Sequence, residues 1–297
     1  MPAIKKILVT GGSGFVGTNL IQLLLKKTKH KIISIDNYSS GSRKNHIKNR
    51  RVKYFKGDTQ NISLIIKNPK EIISVFHFGE FARIYQSFKK MNECISSNSV
   101  GTNAVFNFCL KNKIKLIYSA TSASLGNKGN DKNLSPYAFT KAKNLEMLEN
   151  LKKWFKMKFE IIYFYNVYGP NQIFKGDMAT VIGIFEDHYK KKLPLPVVKP
   201  GSQSRRFTHI NDTIKACFFA WKKNKCRHYS ITNKRSYRII DVAKMFNHKI
   251  KYLPPRKGER FASALSTMNL SNKVYKIYGK TMLKNYINEF INNKKVK

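Results

Sequence analysis

An α/β architecture is what the sequence predicts: a doubly wound parallel sheet followed by a smaller C-terminal substrate-binding domain. Three observations predict it. Short apolar runs alternate with segments of helical periodicity through the first half of the chain. Those runs are apolar on both faces, as strands covered by helices on each side must be. After Pro170 the rhythm changes, and strands and helices mix without the same alternation.

The elements follow in order. KILVT (6–10) reads as the first strand. A glycine turn comes next, and VGTNLIQLLLKK (16–27) then repeats with a helical period. Further strands are read in KIISID (31–36), VKYFKGD (52–58), SVFHFG (74–79), KLIYSA (115–120) and EIIYFYNVYG (160–169). Helices are expected between most of them, including 94–112 and 137–157. The Pro-rich stretch KKLPLPVVKPGSQS (191–204) reads as loop. The expected division is a first domain over 1–165, joined by part of 205–232, and a second built mainly from 166–297. There is no internal repeat and no low-complexity linker.

Composition narrows the function classes. The chain of 297 residues is long enough for one or two domains, and 42% hydrophobic content excludes a disordered chain. Lys and Arg number 57 against 16 Asp and Glu, a formal net charge of +41. Such a field attracts polyanions. The basic residues run from end to end without a dominant block, among many Asn, Ile, Phe and Tyr, so we read the excess as compositional rather than as a dedicated nucleic-acid surface. Cys94, Cys109, Cys217 and Cys226 form no close pair, which argues against a zinc site or disulfide framework; no metal is expected, and a reduced, cytoplasmic compartment is the default. ILV near the N-terminus is too short for a signal sequence, and ACFFAW (216–221) is too short to span a bilayer.

The first turn carries chemistry. Gly11, Gly14, Phe15, Val16 and Gly17 lie between the first strand and the first helix. The three glycines allow a tight turn, leave room for a pyrophosphate against the backbone, and let helix and strand pack closely. The helix N-terminus adds unpaired N–H groups and a positive dipole end. Asp36, followed by Asn37, ends the second strand nineteen residues after Gly17. Its carboxylate would accept hydrogen bonds from adenosine ribose hydroxyls and repel a 2′-phosphate, which makes this a Rossmann-type site favouring NAD over NADP. Arg43 nearby is the residue that would tolerate that phosphate. Asp58 stands after the third strand, either as a contact to the adenine amine or as a strand-end cap.

SPYAFTKAKN (135–144) sets Tyr137 and Lys141 one helical turn apart, on one face. Alone, that spacing describes a packed ring beside a solvated ammonium. The surrounding motifs change the reading. TGGSGFVG, IDNYSSG, HFGEFA, NSVGTNAVFNFC, YSATSASLG, YAFTK, FYNVYGP, RRFTHINDTIKAC and PPRKGE occur in this order along nearly the whole chain. In this set the chain resembles the extended short-chain dehydrogenases/reductases that act on nucleotide sugars, the NAD-dependent epimerase/dehydratase group.

The resemblance implies roles. Tyr137 would be the acid/base and Lys141 the residue that tunes it and holds the nicotinamide ribose. The physics agrees, because a free phenol of pKa about 10 is a poor base near neutrality unless a nearby cation favours the phenolate. Thr121 would hydrogen-bond the reacting sugar oxygen. Ser119 and Asn98 would stand on the cofactor side, and His77 beneath the cofactor as a structural residue. Asn166, Arg205 and Arg256 would hold the nucleotide diphosphate, for which the arginine fork is suited. The family also pairs two helices between subunits, so a homodimer is expected through 94–112 and 137–157, which carry Val105, Phe106, Phe108, Leu145 and Leu148.

The chain departs from the family in places. Arg206 stands where Asp is common, Gly79 and Glu80 replace small residues, and the segment from Gly126 to Tyr137 is short. Glu80 and Arg83 are spaced for a local ion pair on a helical turn, or for lining the sugar pocket. Ser122, Ala123 and Ser124 follow Thr121, where the family's dehydratases carry carboxylates. The implied activity is therefore C4 epimerisation of a UDP-sugar through a transient 4-keto intermediate. A 4,6-dehydratase or another NAD-dependent sugar-nucleotide enzyme is the alternative, ahead of a non-catalytic Rossmann binding protein.

Overall fold

The structure, a computed structural model, describes residues 5–124, 133–223, 227–256 and 274–295. The chain opens with β1 (Lys6–Thr10), α1 (Phe15–Lys27), β2 (Lys31–Asp36), β3 (Val52–Lys56), α2 (Ile62–Ile65) and β4 (Ile72–His77). Next come α3 (Ile84–Lys89), α4 (Met91–Ile95), a π-helical segment (Ser96–Gly101) and α5 (Thr102–Lys111). β5 (Lys115–Thr121), α6 (Pro136–Phe155) and β6 (Phe159–Phe164) complete the first half. The second half holds β7 (Val167–Tyr168), α7 (Val181–Lys190), β8 (Leu195–Val198), β9 (Ser204–Arg206), β10 (Thr208–His209) and α8 (Ile210–Lys223). It ends with β11 (His228–Thr232), β12 (Ser236–Arg238), α9 (Ile239–Met245), β13 (Ile250–Leu253), β14 (Val274–Tyr278) and α10 (Leu283–Lys295).

Eight strands form one sheet in the order β14-β11-β6-β5-β4-β1-β2-β3, and every pairing in it is parallel. Alternate residues of each strand enter different cores. Leu8, Val75, Leu116, Tyr118 and Ile161 pack with Val105 and Phe106 of α5 and Leu148 and Leu151 of α6. Ile7, Val9, Phe76, Ile117 and Ile162 pack on the other face with Leu20, Ile21 and Leu24 of α1 and Ile214 and Cys217 of α8. This is the doubly wound, Rossmann-like sheet that the apolar runs predict. Strand order reverses between β1 and β4, so a crevice opens there beyond the strands' carboxyl ends.

A smaller C-terminal subdomain has its own core, with Phe185, Leu195, Val197, Phe207, Val242, Phe246 and Ile287. Its strands form two-stranded sheets, β8 with β13 and β9 with β12. The chain also returns to the main sheet through α8, β11 and β14.

Several expected elements differ. The helix over 94–112 is interrupted by the π-helical turns of Ser96–Gly101. The strand over 160–169 stops at Phe164, because Asn166 takes a left-handed backbone (φ 31°) and its Nδ2 donates to the Arg206 carbonyl at 2.9 Å. The stretch 191–204 is not all loop: Leu195–Val198 pairs in parallel with Ile250–Leu253. Pro196 is tolerated because each strand of a two-stranded sheet keeps a free edge. Val105, Phe106, Phe108 and Leu148 face the sheet core and are buried, so they are not an intersubunit surface. Among the described residues, no helix is long and apolar enough to cross a membrane. Cys226 lies outside the described residues; Cys94, Cys109 and Cys217 are buried free thiols.

Candidate active site

A cavity of about 980 Å³ opens over the crevice at the β1/β4 reversal. It is lined by the glycine turn, by Thr121, Tyr137 and Lys141, and by Asn166, Arg205 and Arg256. These residues come from distant parts of the chain and are brought together by the strand ends.

The turn after β1 is built for close approach. Gly11 has φ +70°, and a Cβ there would lie 2.8 Å from the Gly79 nitrogen. A Cβ on Gly17 would lie 2.1 Å from the Gly11 carbonyl, so a side chain would push the helix off the turn. Gly14 caps α1 without a side-chain bond, and the first turn of α1 has no acidic residue. Its first N–H groups therefore lack a side-chain acceptor and suit a phosphate. Asp36 is buried and accepts from the backbone N–H of Ser13 at 2.9 Å and of Tyr38 at 2.8 Å. Burial raises its carboxyl above the ordinary range, while these two N–H groups hold it back. Asn37 and Asp58 also line the cavity, and the Asn37 amide donates to Asp58 Oδ1 at 2.6 Å. Asp58 makes no side-chain bond as a cap of the following turn. Glycine turn, uncapped helix end and Asp36 fit a dinucleotide.

His77, buried at the end of β4, lies between the Thr10 hydroxyl (2.7 Å from Nδ1) and the Thr102 hydroxyl (3.0 Å from Nε2). Burial pulls its pKa down to about 4, so the ring is neutral near pH 7 and serves as a structural strut. Asn98 is fully buried in the π-helical turns. Its Oδ1 accepts from the Phe81 N–H at 2.7 Å and its Nδ2 donates to the Phe81 carbonyl at 3.0 Å. That amide fastens the segment after β4 and does not line the cavity.

Ser135 caps α6, accepting from the Ala138 N–H at 3.1 Å, and Pro136 starts the helix. This places Tyr137 in the first turn, where its backbone N–H donates to Ser87 Oγ at 3.3 Å. Tyr137 packs with Phe81, Cys94, Ala123 and Ala138. Thr121 ends β5, and its Oγ1 accepts from the Ala123 N–H at 3.1 Å. Lys141, one turn after Tyr137, donates to the Ser119 carbonyl at 2.5 Å and is ion-paired with Glu80. Burial lowers its pKa, and Glu80 opposes that.

The local Glu80–Arg83 pair is not formed. Residues 80–83 precede α3 and are not helical, so the spacing does not bring the two together. Arg83 donates instead to the carbonyls of Ala82, at 2.7 Å, and of Met178. Glu80 is enclosed: Tyr118 donates to its Oε1 at 3.0 Å, Thr102 at 3.1 Å and Asn144 at 3.4 Å. Of this shell, sequence reasoning passes over Tyr118, Thr102 and Asn144. Asn144 was in reach, one helical turn past Lys141; nothing local marks Tyr118.

Arg205 is buried and Arg256 exposed, with the Arg256 guanidinium 5.4 Å from the Tyr85 ring centre. Lys257, Gly258 and Glu259 of the PPRKGE stretch, and Leu125 and Gly126 of YSATSASLG, lie outside the described residues.

Residues 7–233 match the sequence model of the NAD dependent epimerase/dehydratase family. A dTDP-D-glucose 4,6-dehydratase of Dictyostelium discoideum is 27% identical over 269 residues, which are 81% of this chain and 61% of that protein's length. The UDP-N-acetylglucosamine 4-epimerase of Methanobrevibacter ruminantium, solved with UDP-N-acetylmuramic acid, superposes with a TM-score of 0.83 at 25% identity, covering 98% of this chain and 97% of that one. The UDP-glucuronic acid 4-epimerase of Bacillus cereus, solved with UDP-glucuronic acid and NAD, also gives 0.83, at 23% identity, over 98% of this chain and 100% of that one.

Proposed function

The chain belongs to the NAD-dependent epimerase/dehydratase family, and from that premise we propose that it interconverts C4 epimers of a UDP-sugar through a transient 4-keto sugar. The observation that carries the reading is that Thr121, Tyr137 and Lys141 line the same cavity as Gly11, Gly14, Gly17 and Asp36. A nucleotide-sugar-modifying enzyme of this family needs those two sets side by side.

Gly11, Gly14, Phe15, Val16 and Gly17 would hold the pyrophosphate of NAD, Asp36 and Asn37 its adenosine ribose, and Ser119, Tyr137 and Lys141 its nicotinamide end. Bound NAD would supply the hydride acceptor and donor. Tyr137 takes the proton of the sugar C4 hydroxyl as the C4–H bond breaks, leaving a ketone; after the sugar turns over, it returns the proton to the alkoxide formed on the opposite face. Thr121 steadies that oxygen. Asn166, Arg205 and Arg256 grip the diphosphate, so the sugar can turn while the nucleotide stays fixed.

Dehydration needs a free carboxyl group to remove the C5 proton and another to protonate the leaving C6 hydroxyl. Ser122, Ala123 and Ser124 follow Thr121, and none is a carboxylate. Glu80 lines the cavity, but it is paired with Lys141 with its side chain 2% exposed. That commitment favours the epimerase. The test is incubation with a panel of UDP-, dTDP- and GDP-sugars, followed by mass spectrometry and sugar analysis. Epimerisation leaves the mass unchanged. A product lighter by one water, lost on Glu80→Gln, would make the protein a dehydratase.

The reading includes a homodimer. Met91, Ile95, Val100, Phe139, Met147, Trp154 and Phe155, all between α4 and the end of α6, are exposed. A second copy would cover such a set of large apolar side chains.

A further inference from the structure

We propose that Glu80 is a positioning residue that holds Lys141 and offsets its charge, so that Lys141 draws the Tyr137 phenol toward the phenolate less than an unpaired ammonium would. This rests on the acid/base role of Tyr137 proposed above.

The geometry points to it. The Lys141 and Glu80 side chains are 4% and 2% exposed and form a direct ion pair. The carboxylate also has Tyr118, Thr102, Asn144 and, at 3.5 Å, the Ser119 hydroxyl as donors, which leaves it little freedom to swing away. Lys141 is fixed on its other side by the Ser119 carbonyl and lies 4.7 Å from the centre of the Tyr118 ring. Two of its three N–H groups are therefore spent on protein acceptors, while the residue still lines the cavity. One donor remains for a ligand.

An isolated ammonium one helical turn from a phenol favours the phenolate. An ammonium in contact with a carboxylate acts on that phenol as a dipole, whose influence falls off faster with distance than that of a charge. Lys141 then keeps its place and its remaining donor but loses much of its electrostatic leverage on Tyr137.

Other titratable groups among the described residues stand around the pair. His77 on β4 is held neutral by burial, down to about 4, and the Cys94 thiol on α4 is raised by burial to about 11. Tyr118 on β5 is raised well above the ordinary phenol range by burial and by Glu80. Arg83, before α3, is a buried cation whose charge bears on Tyr137. Asp177 lines the same cavity from the segment before α7.

The test is an ultraviolet tyrosinate titration, which needs no substrate. Subtracting Tyr137→Phe from wild type, and Glu80→Gln/Tyr137→Phe from Glu80→Gln, isolates Tyr137, with and without oxidised NAD. Without NAD, the Glu80→Gln midpoint should lie about one pH unit or more below wild type, since a nearby opposite charge shifts a group by about 1–3 units. Oxidised NAD should lower both midpoints by a similar amount, because the two charges act additively. Glu80→Asp, which keeps the charge, should stay near wild type. A midpoint that is unmoved or raised in Glu80→Gln, both without and with NAD, overturns the proposal. Thermal melts check folding, with Glu80→Ala as the second variant; if neither neutral form folds, Glu80 is structural and the proposal fails. Failure of the function reading looks different: Tyr137→Phe would retain turnover, or NAD would not bind.

Discussion

The Asp36 carboxylate ties the end of the second strand to the glycine turn, accepting the Ser13 backbone N–H at 2.9 Å across 23 residues of sequence. One group thus shapes the turn and presents negative charge to the cavity. The protein should bind NAD more tightly than NADP, by about tenfold or more, because a 2′-phosphate would meet that charge. Asp36→Ala should narrow the preference and also weaken NAD, since the glycine turn loses its anchor at Ser13 and the segment after β2 its anchor at Tyr38. Calorimetric titration of both cofactors into both proteins reads it. Tighter NADP binding by the wild type would assign the choice to Arg43.

Tyr137→Phe removes one hydroxyl and keeps the ring that packs with Phe81 and Ala123. Turnover should fall by a factor of about 10²–10⁴ or more, the range for losing a general acid/base. NAD affinity should change by no more than about tenfold, because one hydrogen bond at most is lost. Steady-state kinetics and cofactor titration separate the two effects. Wild-type turnover in the Phe protein would exclude Tyr137 as the acid/base.

Light scattering at micromolar concentration should give the mass of a dimer. Phe139 and Trp154 are 47% and 62% exposed on α6. Replacing both with Asp should yield a monomer with an unchanged circular dichroism spectrum, since neither supports the core. A wild-type monomer would leave that apolar face without the partner proposed for it.

Acid should destabilise the protein through His77. The folded pKa, about 4, is depressed below the ordinary value of 6.5. The group's contribution to stability is present above pH 6.5 and is lost as pH falls through about 4, because the unfolded chain takes up a proton that the folded site refuses. The loss is on the order of 3 kcal/mol. His77→Gln, though less stable at pH 7, should show a shallower decline between pH 6.5 and 4 in urea melts. Parallel declines would mean that other groups carry the acid sensitivity.

Much of the frame was legible in the sequence because it depends on local pattern. Doubly apolar strands such as 6–10 and 115–120 declare a covered parallel sheet, and the glycines before α1 declare the crevice. The remainder depends on partners distant in sequence. Glu80 meets Lys141 across a gap of 61 positions, so the spacing to Arg83 pointed to the wrong neighbour. The π-helical turns at 96–101 read Ser-Ser-Asn-Ser-Val-Gly, with Val100 their one large apolar side chain, so the reading of a single helix over 94–112 rested on the apolar residues on either side. Leu195–Val198 becomes a strand only because Ile250–Leu253 lies beside it. The apolar residues of α5 and α6 could be counted from sequence, but which of them faced the sheet depended on the packing.

The order in which the main sheet is filled bears on how the chain is made. β6 has β5 on one side, and the strand that covers its other side, β11, follows only after residues 165–227 have been synthesised; β14 comes later still. During that interval a nascent chain would carry an apolar strand with an open edge, the kind of surface that pairs with neighbouring chains. Long-range parallel pairing of this kind is also slow to form. Yield in cells should therefore respond to chaperone supply and to growth temperature more than the stability of the finished fold would suggest.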